Sequence, residues 1–428
     1  MKYKKYLKYK SSGIEWLGEI PEHWEVKRLG QYFQERNEKV SDKEYPPLSV
    51  TKQGIMPQLE NVAKTNNNDN RKKVVKGDIV INSRSDRKGS SGLSNYTGSV
   101  SLINIVLVPK KINKKFSHYL IKSHGFKEEF FKYGKGIVDD LWSTHFNEMK
   151  NILIPLPPLS EQKAIATFLD KATEKIDNLI QKEEELIKLL EEKKEALITK
   201  AVTKGLKNAK MKDSGIEWLG EIPEHWEVRK LKYVARLNPK KSEIIKSNIL
   251  VQFIPMEKLK RGKLELNEIK NMIDVYDSYI YFRENDILLA KVTPCFENRN
   301  IAIANNLKNE IGFGSSEIYV IRVNNEITRK FIYYLLQEEN FVKFGQKEMT
   351  GTGGLKRVPS EFIENLKIPL PPLQEQKEIT EYLDKKLAKI DKLIEKSKKA
   401  IELLKEKKEA LITNAVTGKI DVRENHEA

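Results

Sequence analysis

Two stretches of the chain carry apolar residues at alternating spacings of four and three, which is the pattern of a coiled-coil seam. They open at Ser160 and Gln374, and each continues for about 40 residues almost without glycine or proline. We therefore predict two long helices that pair with each other. The residues expected in the seam are Ile165, Leu169, Ile176, Leu179, Leu186, Leu190 and Leu197 in the first helix and Ile379, Leu383, Ile390, Leu393, Leu404 and Leu411 in the second.

Polar residues interrupt both seams at matching places, Glu183 with Ser397 and Lys193 with Lys407. A polar seam residue sets register and partner choice at some cost in stability. The chain order and the duplication described below favour antiparallel helices with one globular domain at each end. A pair of amphipathic helices inside one compact domain is the alternative.

The remaining sequence mixes short apolar runs with loops rich in glycine, serine and asparagine. The runs at 78–82 and 100–108 are typical of β-strands, and comparable runs occur at 286–290 and 312–323. Each long helix is thus expected to follow a mixed α/β domain.

The chain contains an internal repeat whose ends match and whose middles differ. The recurring blocks are Ser12–Val26, unchanged as Ser214–Val228, then Ile154–Leu159 as Ile368–Leu373 and Glu192–Thr199 as Glu406–Thr413. The interiors, 34–150 and 236–365, share little. Common ends around divergent middles indicate shared docking surfaces beside two different recognition surfaces. Duplication followed by drift is the simpler alternative.

The repeat divides the chain into four predicted segments: a globular domain at 1–153, a helical spacer at 154–210, a second domain at 211–367 and a second spacer at 368–428. The 428 residues carry a formal net charge of +16, of which +11 and +3 fall in the two globular segments and +1 in each spacer. An excess of lysine and arginine favours a polyanionic partner, nucleic acid before membrane. The two globular domains are expected to bind it.

Several classes of protein are disfavoured by what the sequence lacks. The single cysteine, Cys295, permits neither a disulfide framework nor a cysteine-based zinc site. No apolar run is long enough to span a bilayer and no secretory signal is present, so a cytoplasmic protein is expected. Dinucleotide, zincin, serine-hydrolase and CxxC motifs are absent, and the glycine-rich loop at 351–359 lacks the ending of a phosphate-binding loop. We therefore predict no catalytic residue and no metal site.

In the first domain, basic residues stand among glycine and serine between the predicted strands. An arginine fork in such a loop can bind guanine, whereas a basic run before a strand is better suited to phosphate. A solvated basic loop is the alternative. The candidate DNA contacts are Arg71, Lys72, Lys73, Arg84, Arg87, Lys88 and Lys135.

In the second domain, a polar segment follows the run at 286–290, and a basic glycine-rich loop lies near the end. Asparagine can make a bidentate contact with adenine, although each of these residues is also common in ordinary turns. The candidates are Lys291, Thr293, Asn298, Arg299, Asn300, Lys356 and Arg357.

The repeated block at 12–26 and 214–228 holds four of the five tryptophans, Trp16, Trp24, Trp218 and Trp226. Large aromatics beside proline predict a packed turn, and a stacking platform for single-stranded bases is the alternative. His23 and His225 have no companions at metal-ligand or triad spacing, so both are expected to be structural.

Taken together, the blocks GIEWLGEIPEHWEV, IPLPPL followed by EQ, and EALIT followed by AVT make the chain closely similar to the specificity subunits of Type I restriction–modification systems. The segments AKVTPCFEN and GTGGLKRVP add to the resemblance, which covers essentially the full length. It implies an α+β fold in which two mixed α/β target-recognition domains are separated by a pair of long antiparallel coiled-coil helices, with an internal pseudo-two-fold.

The resemblance also implies a function. Each domain would bind one half of a bipartite, asymmetric target in double-stranded DNA, while the helices set the gap and dock two methyltransferase subunits. Those subunits would use S-adenosylmethionine to methylate adenine N6, and restriction subunits with translocase activity would use ATP and Mg²⁺. The specificity subunit itself would hold no cofactor and perform no chemistry.

Two other readings of the sequence stay open. A coiled-coil adaptor would bind any duplex with similar affinity and a steep salt dependence, whereas a sequence reader keeps a large specificity ratio. A methyltransferase or nuclease acting alone is disfavoured by the missing cofactor motifs.

Overall fold

The computed structural model describes residues 3–58, 69–135, 142–352 and 354–423, and it divides into two compact units. Unit 1 comprises residues 1–184 and 398–428, and unit 2 comprises residues 185–397. Each unit mixes helices and strands, and the two long helices contribute to both, which confirms the predicted α+β class. The division does not follow the four predicted segments, because each unit takes one part of each long helix.

Unit 1 begins with short strands and ends in helices. Its strands are β1 (Tyr9–Ser11), β2 (Glu19–Pro21), β3 (Glu25–Arg28), β4 (Phe33–Glu35), β5 (Lys39–Val40), β6 (Leu48–Thr51), β7 (Gly54–Pro57), β8 (Arg71–Val74), β9 (Ile79–Asn82), β10 (Ser91–Leu93), β11 (Gly98–Val100), β12 (Asn104–Pro109) and β13 (Leu153–Leu156). Its helices are α1 (Lys114–Lys122), α2 (His124–Lys132), α3 (Phe146–Met149) and the first part of α4 (Leu159–Lys204).

Unit 2 repeats this plan with a different interior. Its strands are β14 (Met211–Asp213), β15 (Glu221–Pro223), β16 (Glu227–Lys230), β17 (Ala235–Leu237), β18 (Leu250–Ile254), β19 (Leu259–Lys260), β20 (Lys263–Leu264), β21 (Ile269–Asn271), β22 (Ile280–Arg283), β23 (Ile287–Ala290), β24 (Ile301–Ile303), β25 (Ile311–Gly314), β26 (Ile318–Val323) and β27 (Lys367–Leu370). Its helices are α5 (Leu231–Val234), α6 (Met272–Val275), α7 (Arg329–Leu335), α8 (Glu339–Glu348), α9 (Ser360–Asn365) and the first part of α10 (Leu373–Val416).

The central antiparallel sheet is the same in both units. Its strand order is β10-β9-β12-β4 in unit 1 and β24-β23-β26-β17 in unit 2. The second sheet differs: unit 1 has the three strands β11-β8-β5, and unit 2 has the four strands β21-β18-β25-β22 with a parallel β18–β25 pair. The matching ends of the sequence therefore surround one shared sheet and one that has diverged.

The apolar run at 100–108 forms two strands and not one. Between β11 and β12 the chain turns, because the Asn104 backbone and side-chain amides donate to the carbonyl and hydroxyl oxygens of Ser101. The strand β11 then pairs with β8 and β12 with β9, so the run serves both sheets. Local turn chemistry overrides the apolar pattern here.

The IPLPPL blocks belong to the globular part of each unit. Strand β13 pairs with β3 and places Pro155 opposite Val26, and β27 pairs with β16 in the same way, with Pro369 opposite Val228. The predicted boundaries at 153/154 and 367/368 thus both fall directly after the first residue of a strand. The long helices begin only at Leu159 and Leu373.

The repeated tryptophan block packs on the start of a long helix. The indole Nε1 of Trp24 donates to Glu161 at 3.0 Å, and His23 Nε2 lies 2.8 Å from the same carboxylate. Trp226 and His225 make the same two contacts with Glu375. Because both Trp24 and Trp226 are fully buried, neither is a stacking platform for bases.

The two halves of each long helix pack in different units, and within each unit the helices run antiparallel. In unit 1, Asp177 of α4 pairs with Lys408 of α10, and Gly418 lies beside Trp24. In unit 2, Lys194 pairs with Asp391, and Gly205 lies beside Trp226. The last turns of α10 thus enter the core of unit 1, and those of α4 enter the core of unit 2.

The pairing face of the helices differs from the predicted seam at three leucines. Leu179, Leu186 and Leu393 are 49%, 42% and 48% exposed, and the inner positions belong to the following residues, Ile180, Ile187 and Ile394. Straight α-helices turn every 3.6 residues, so a strict four–three alternation drifts off the buried face. The other predicted positions are buried or partly buried: Ile165, Leu169, Ile176, Leu190, Leu197, Ile379, Leu383, Ile390, Leu404 and Leu411.

This register predicts different costs for two nearby truncations. Ile390→Ala, at a side chain that is 6% exposed, should cost about 2–5 kcal/mol because it leaves a cavity in the helix pair. Leu393→Ala should change the free energy of unfolding by less than about 0.5 kcal/mol. Urea unfolding of the two variants compares them directly, and equal costs would contradict the register.

Candidate nucleic-acid interface

Two hairpin loops occupy the same place in the two units. Hairpin loop 1, residues 83–90, joins β9 to β10, and hairpin loop 2, residues 291–300, joins β23 to β24. These are the segments that hold most of the predicted DNA contacts. Their equivalence rests on the shared sheet, because β9 and β23 are corresponding strands.

Hairpin loop 1 is held against the loop that follows α2. Ser85 N–H donates to the Trp142 carbonyl at 3.1 Å, and Thr144 N–H donates to the Ser83 carbonyl at 3.1 Å. Ser143 in turn exchanges two backbone hydrogen bonds with Lys135. The structure thus brings the predicted residues Arg84, Arg87, Lys88 and Lys135 onto neighbouring loops of one surface.

Hairpin loop 2 is held in the same way by the glycine-rich loop. Thr293 N–H donates to the Lys356 carbonyl at 3.0 Å, and Val358 N–H donates to the Lys291 carbonyl at 2.9 Å. Thr350 and Arg357 exchange two backbone hydrogen bonds, as Lys135 and Ser143 do in unit 1. Both units therefore present a hairpin loop and a second loop joined by backbone hydrogen bonds.

The four predicted cations on the loop surface of unit 1 each have a carboxylate beside them. Arg84 and Arg87 flank Asp86, with nitrogen–oxygen distances of 3.1 and 3.5 Å. Lys88 lies 2.6 Å from Glu128, and Lys135 lies 2.9 Å from Glu148. Lys135 holds the pKa of Glu148 below its usual value.

In unit 2 the corresponding pair is bidentate. Arg357 donates through Nε and Nη2 to Glu317, both at 2.8 Å. Arg357 and, to a smaller extent, Lys291 lower the pKa of Glu317, while the Lys291 ammonium lies over the Tyr319 ring. This two-point hydrogen bond fixes the orientation of the Arg357 guanidinium before any ligand binds.

The basic run at 71–73 lies elsewhere, on β8 of the second sheet. Arg71 is only 6% exposed, and its guanidinium donates to the hydroxyl and carbonyl oxygens of Ser99. Lys72 is bound to Glu35, and Lys73 to Glu38. The burial of Arg71 and its hydrogen bonds to Ser99 favour a structural role in unit 1 over the predicted DNA contact, because a buried guanidinium needs such partners.

Hairpin loop 2 and the glycine-rich loop beside it expose some of the predicted residues and leave Arg299 mostly enclosed. Asn298 of hairpin loop 2 and Lys356 of the glycine-rich loop are exposed. Lys291, Thr293 and Asn300 are partly exposed. Arg299 is 15% exposed and forms an ion pair with Glu195 of α4, so it does not project from the loop.

The carboxylates on this surface were not predicted from sequence. Asp86 stands between two arginines, and that spacing was a usable signal. Glu317 and Glu128 are each 40 positions from the cation they contact, so only the folded chain brings them there.

Within the described ranges, no group of three histidine, cysteine, aspartate or glutamate side chains is arranged to hold a metal ion. In the same residues, no helix is both long and apolar enough to cross a membrane.

Comparison with known proteins identifies the family. The model of the Type I restriction modification DNA specificity domain matches the chain twice, over residues 21–189 and 223–403. The chain belongs to this family. Both matches include a hairpin loop and the start of a long helix.

Two relatives illustrate the extent of the similarity. The EcoAI Type I restriction enzyme specificity subunit of Escherichia coli is 38% identical over 196 residues, which are 45% of this chain and 33% of that relative. The chain thus spans about a third of that subunit's length. The MjaVIII Type I restriction enzyme specificity subunit of Methanocaldococcus jannaschii is 29% identical over 433 residues, or 94% of each chain.

A solved structure reported for complex assembly and conformational transition of the type I R-M system has the same fold. It is 17% identical, with a TM-score of 0.70 over 93% of this chain and 98% of that one. At this identity the likeness concerns the fold alone.

Proposed function

We propose that the chain is the specificity subunit of a Type I restriction–modification complex. Unit 1 and unit 2 would each read one half of a bipartite, asymmetric target in double-stranded DNA. The observation that carries the proposal is that one shared sheet presents two equivalently placed hairpin loops with different residues.

Base reading would come from the exposed residues of these loops. Arginine forks match guanine, and asparagine matches adenine in the major groove, whereas lysines would contact phosphates. On this basis Arg84, Arg87 and Asn298 are the candidates for bases. Lys88, Lys135 and Lys356 are the candidates for the backbone.

The chemistry of the complex would reside in partner subunits. Two methyltransferase subunits would bind S-adenosylmethionine and methylate adenine N6, and restriction subunits with translocase activity would use ATP and Mg²⁺. This chain would contribute DNA binding and a scaffold in the cytoplasm.

The long helices would set the gap between the half-sites and dock the methyltransferase subunits. Leu179 and Leu393 support the docking role, because both are half-exposed on the outer face and occupy equivalent positions in the repeat. A half-exposed leucine on the outer face of a helix is suited to contact with a helical partner.

Domain exchange tests the proposal. Replacing residues 236–365 with the same region of another family member should change the bases of one half-site and leave the other half and the gap unchanged. Methylome sequencing of a host that carries all subunits gives both halves. A change in both halves would contradict the assignment, and the absence of any defined motif would favour a non-specific adaptor.

Two arginines of unit 1 should respond differently to truncation. Arg87→Ala, at a side chain that is 66% exposed, should weaken binding to the target duplex about tenfold and binding to unrelated duplexes much less. Arg71→Ala should instead destabilise the protein by about 1–3 kcal/mol, because buried hydrogen bonds are lost. Competition binding and urea unfolding separate the two effects. An equal loss on both duplexes would assign Arg87 to phosphate.

A matched deletion in both helices tests whether their length sets the gap between the half-sites. Removing Lys188–Lys194 together with Asp391–Ser397 takes two turns from each helix and keeps the pairing, because Lys194 and Asp391 face each other. At about 1.5 Å per residue the helices shorten by about 10 Å. The gap should fall by about three base pairs, at about 3.4 Å each. Methylome mapping should show the same bases at the new spacing. An unchanged gap would contradict the proposal that the helices set it.

A further inference from the structure

A glutamate of α4 is bound to hairpin loop 2. Glu195 Oε2 forms an ion pair with Arg299 Nη1, and Glu195 Oε1 lies 2.8 Å from Arg261 Nη1. Arg261 belongs to the turn between β19 and β20, where Gly262 N–H donates to the carbonyl of Ile301 just after the loop. One carboxylate thus holds the loop and its neighbouring turn.

Arg299 needs such a partner for two reasons. Its φ of +55° lies in the left-handed region, which is costly for a residue with a side chain. Its guanidinium is mostly buried, and a buried charge without a counterion is strongly destabilising. The Glu195 carboxylate supplies that counterion and fixes the loop between Asn298 and Asn300.

The equivalent glutamate of α10 is connected to hairpin loop 1. Glu409 lies 2.5 Å from Lys127 Nζ and 3.7 Å from His124 Nδ1, both on α2. The next residue of α2, Glu128, binds Lys88 of the loop at 2.6 Å. Lys127 is the main reason that the pKa of Glu409 is lowered.

The repeated block Glu192–Thr199 and Glu406–Thr413 explains why the two glutamates correspond. Lys194 and Lys408 pair with aspartates of the opposite helix. The next residue in each copy, Glu195 or Glu409, instead pairs with a cation of the globular part of its unit. Adjacent residues of one block therefore hold the helix pair and bind either hairpin loop 2 itself, through Glu195, or the helix that contacts hairpin loop 1, through Glu409.

We propose that Glu195 and Glu409 are positioning residues for sequence reading, and that each serves the unit its helix end enters. Glu195, which follows the first globular segment in the sequence, acts on the half-site of unit 2. Glu409, near the C-terminus, acts on the half-site of unit 1. Arg299 accordingly positions the loop and does not read a base. This inference rests on the proposed function.

The test uses the full chain together with methyltransferase subunits in a host whose methylome is sequenced. Glu195→Gln should raise methylation about fivefold at sites with one mismatch in the half read by unit 2, and leave the other half strict. Glu409→Gln should relax only the half read by unit 1. The exchange of residues 236–365 establishes which half belongs to unit 2.

Two controls separate positioning from general damage. Glu192→Gln and Glu406→Gln remove matched charges of the same repeated block, and within the described part of the chain Glu192 forms its ion pair with Lys188 of its own helix. Both variants should leave the methylated motif unchanged and should not raise methylation at mismatched sites. If Glu195→Gln lowers all methylation together with the Tm, Arg299→Gln and Lys127→Gln remove the cation that each glutamate binds, on hairpin loop 2 and on α2 respectively. Arg299→Gln should raise methylation at mismatched sites in the half read by unit 2, and Lys127→Gln should do so in the half read by unit 1.

The outcomes distinguish the inference from the function it rests on. A wild-type chain that yields no bipartite motif overturns the proposed function and this inference with it. A clear wild-type motif that none of the four variants relaxes overturns the positioning role alone. Relaxation of both halves by one variant also overturns it, because the contacts of each glutamate lie within one unit.

Discussion

The structure of each unit depends on a carboxylate at the start of a long helix, buried at Glu161 and mostly buried at Glu375. Glu161 and Glu375 accept hydrogen bonds from a tryptophan and a histidine of the repeated block. The next residue, Gln162 or Gln376, binds a proline carbonyl before the helix and a backbone N–H at the start of the neighbouring helix. An unpaired buried carboxylate is very costly, so the block, the proline segment and the helix must assemble together. That requirement accounts for the near-identity of these segments in both copies.

Away from this junction the two units keep the same interactions with different residues. Asp78 and Asp286 stand before corresponding strands, and each carboxylate accepts from a backbone N–H three residues earlier. Asp78 is paired with Arg36, which follows β4, whereas Asp286 is paired with Arg322 on β26. The ion pair has persisted while the strand that supplies the arginine has changed. A scaffold of this kind tolerates divergence in its interior, because only the shared sheet and the helix junction are constrained.

The charge of the globular segments is less directly available than its sum indicates. Arg84, Lys88 and Arg357 on the two loop surfaces stand beside carboxylates. Arg71 and Arg299 are enclosed by the protein. A phosphate backbone alone would have to compete with these internal partners, whereas a matched base edge adds hydrogen bonds that repay the exchange. The surface is therefore better suited to discrimination than to simple electrostatic attraction.

Local pattern in the sequence determined the two long helices, the internal repeat, the polar segments that follow β9 and β23, and the family. Each of these depends on residues that are close along the chain or repeated as a block. Tertiary structure alone decided which helix face is buried, as Ile394 in place of Leu393 demonstrates, since 3.6-residue geometry and packing select the inner position. It also decided the partners of the loop cations. From the sequence, Arg299 was predicted to be a loop residue that contacts DNA. In the structure it is mostly buried and paired with Glu195, more than a hundred positions earlier. Contacts between distant residues follow from the path of the folded chain, and no local pattern specifies them.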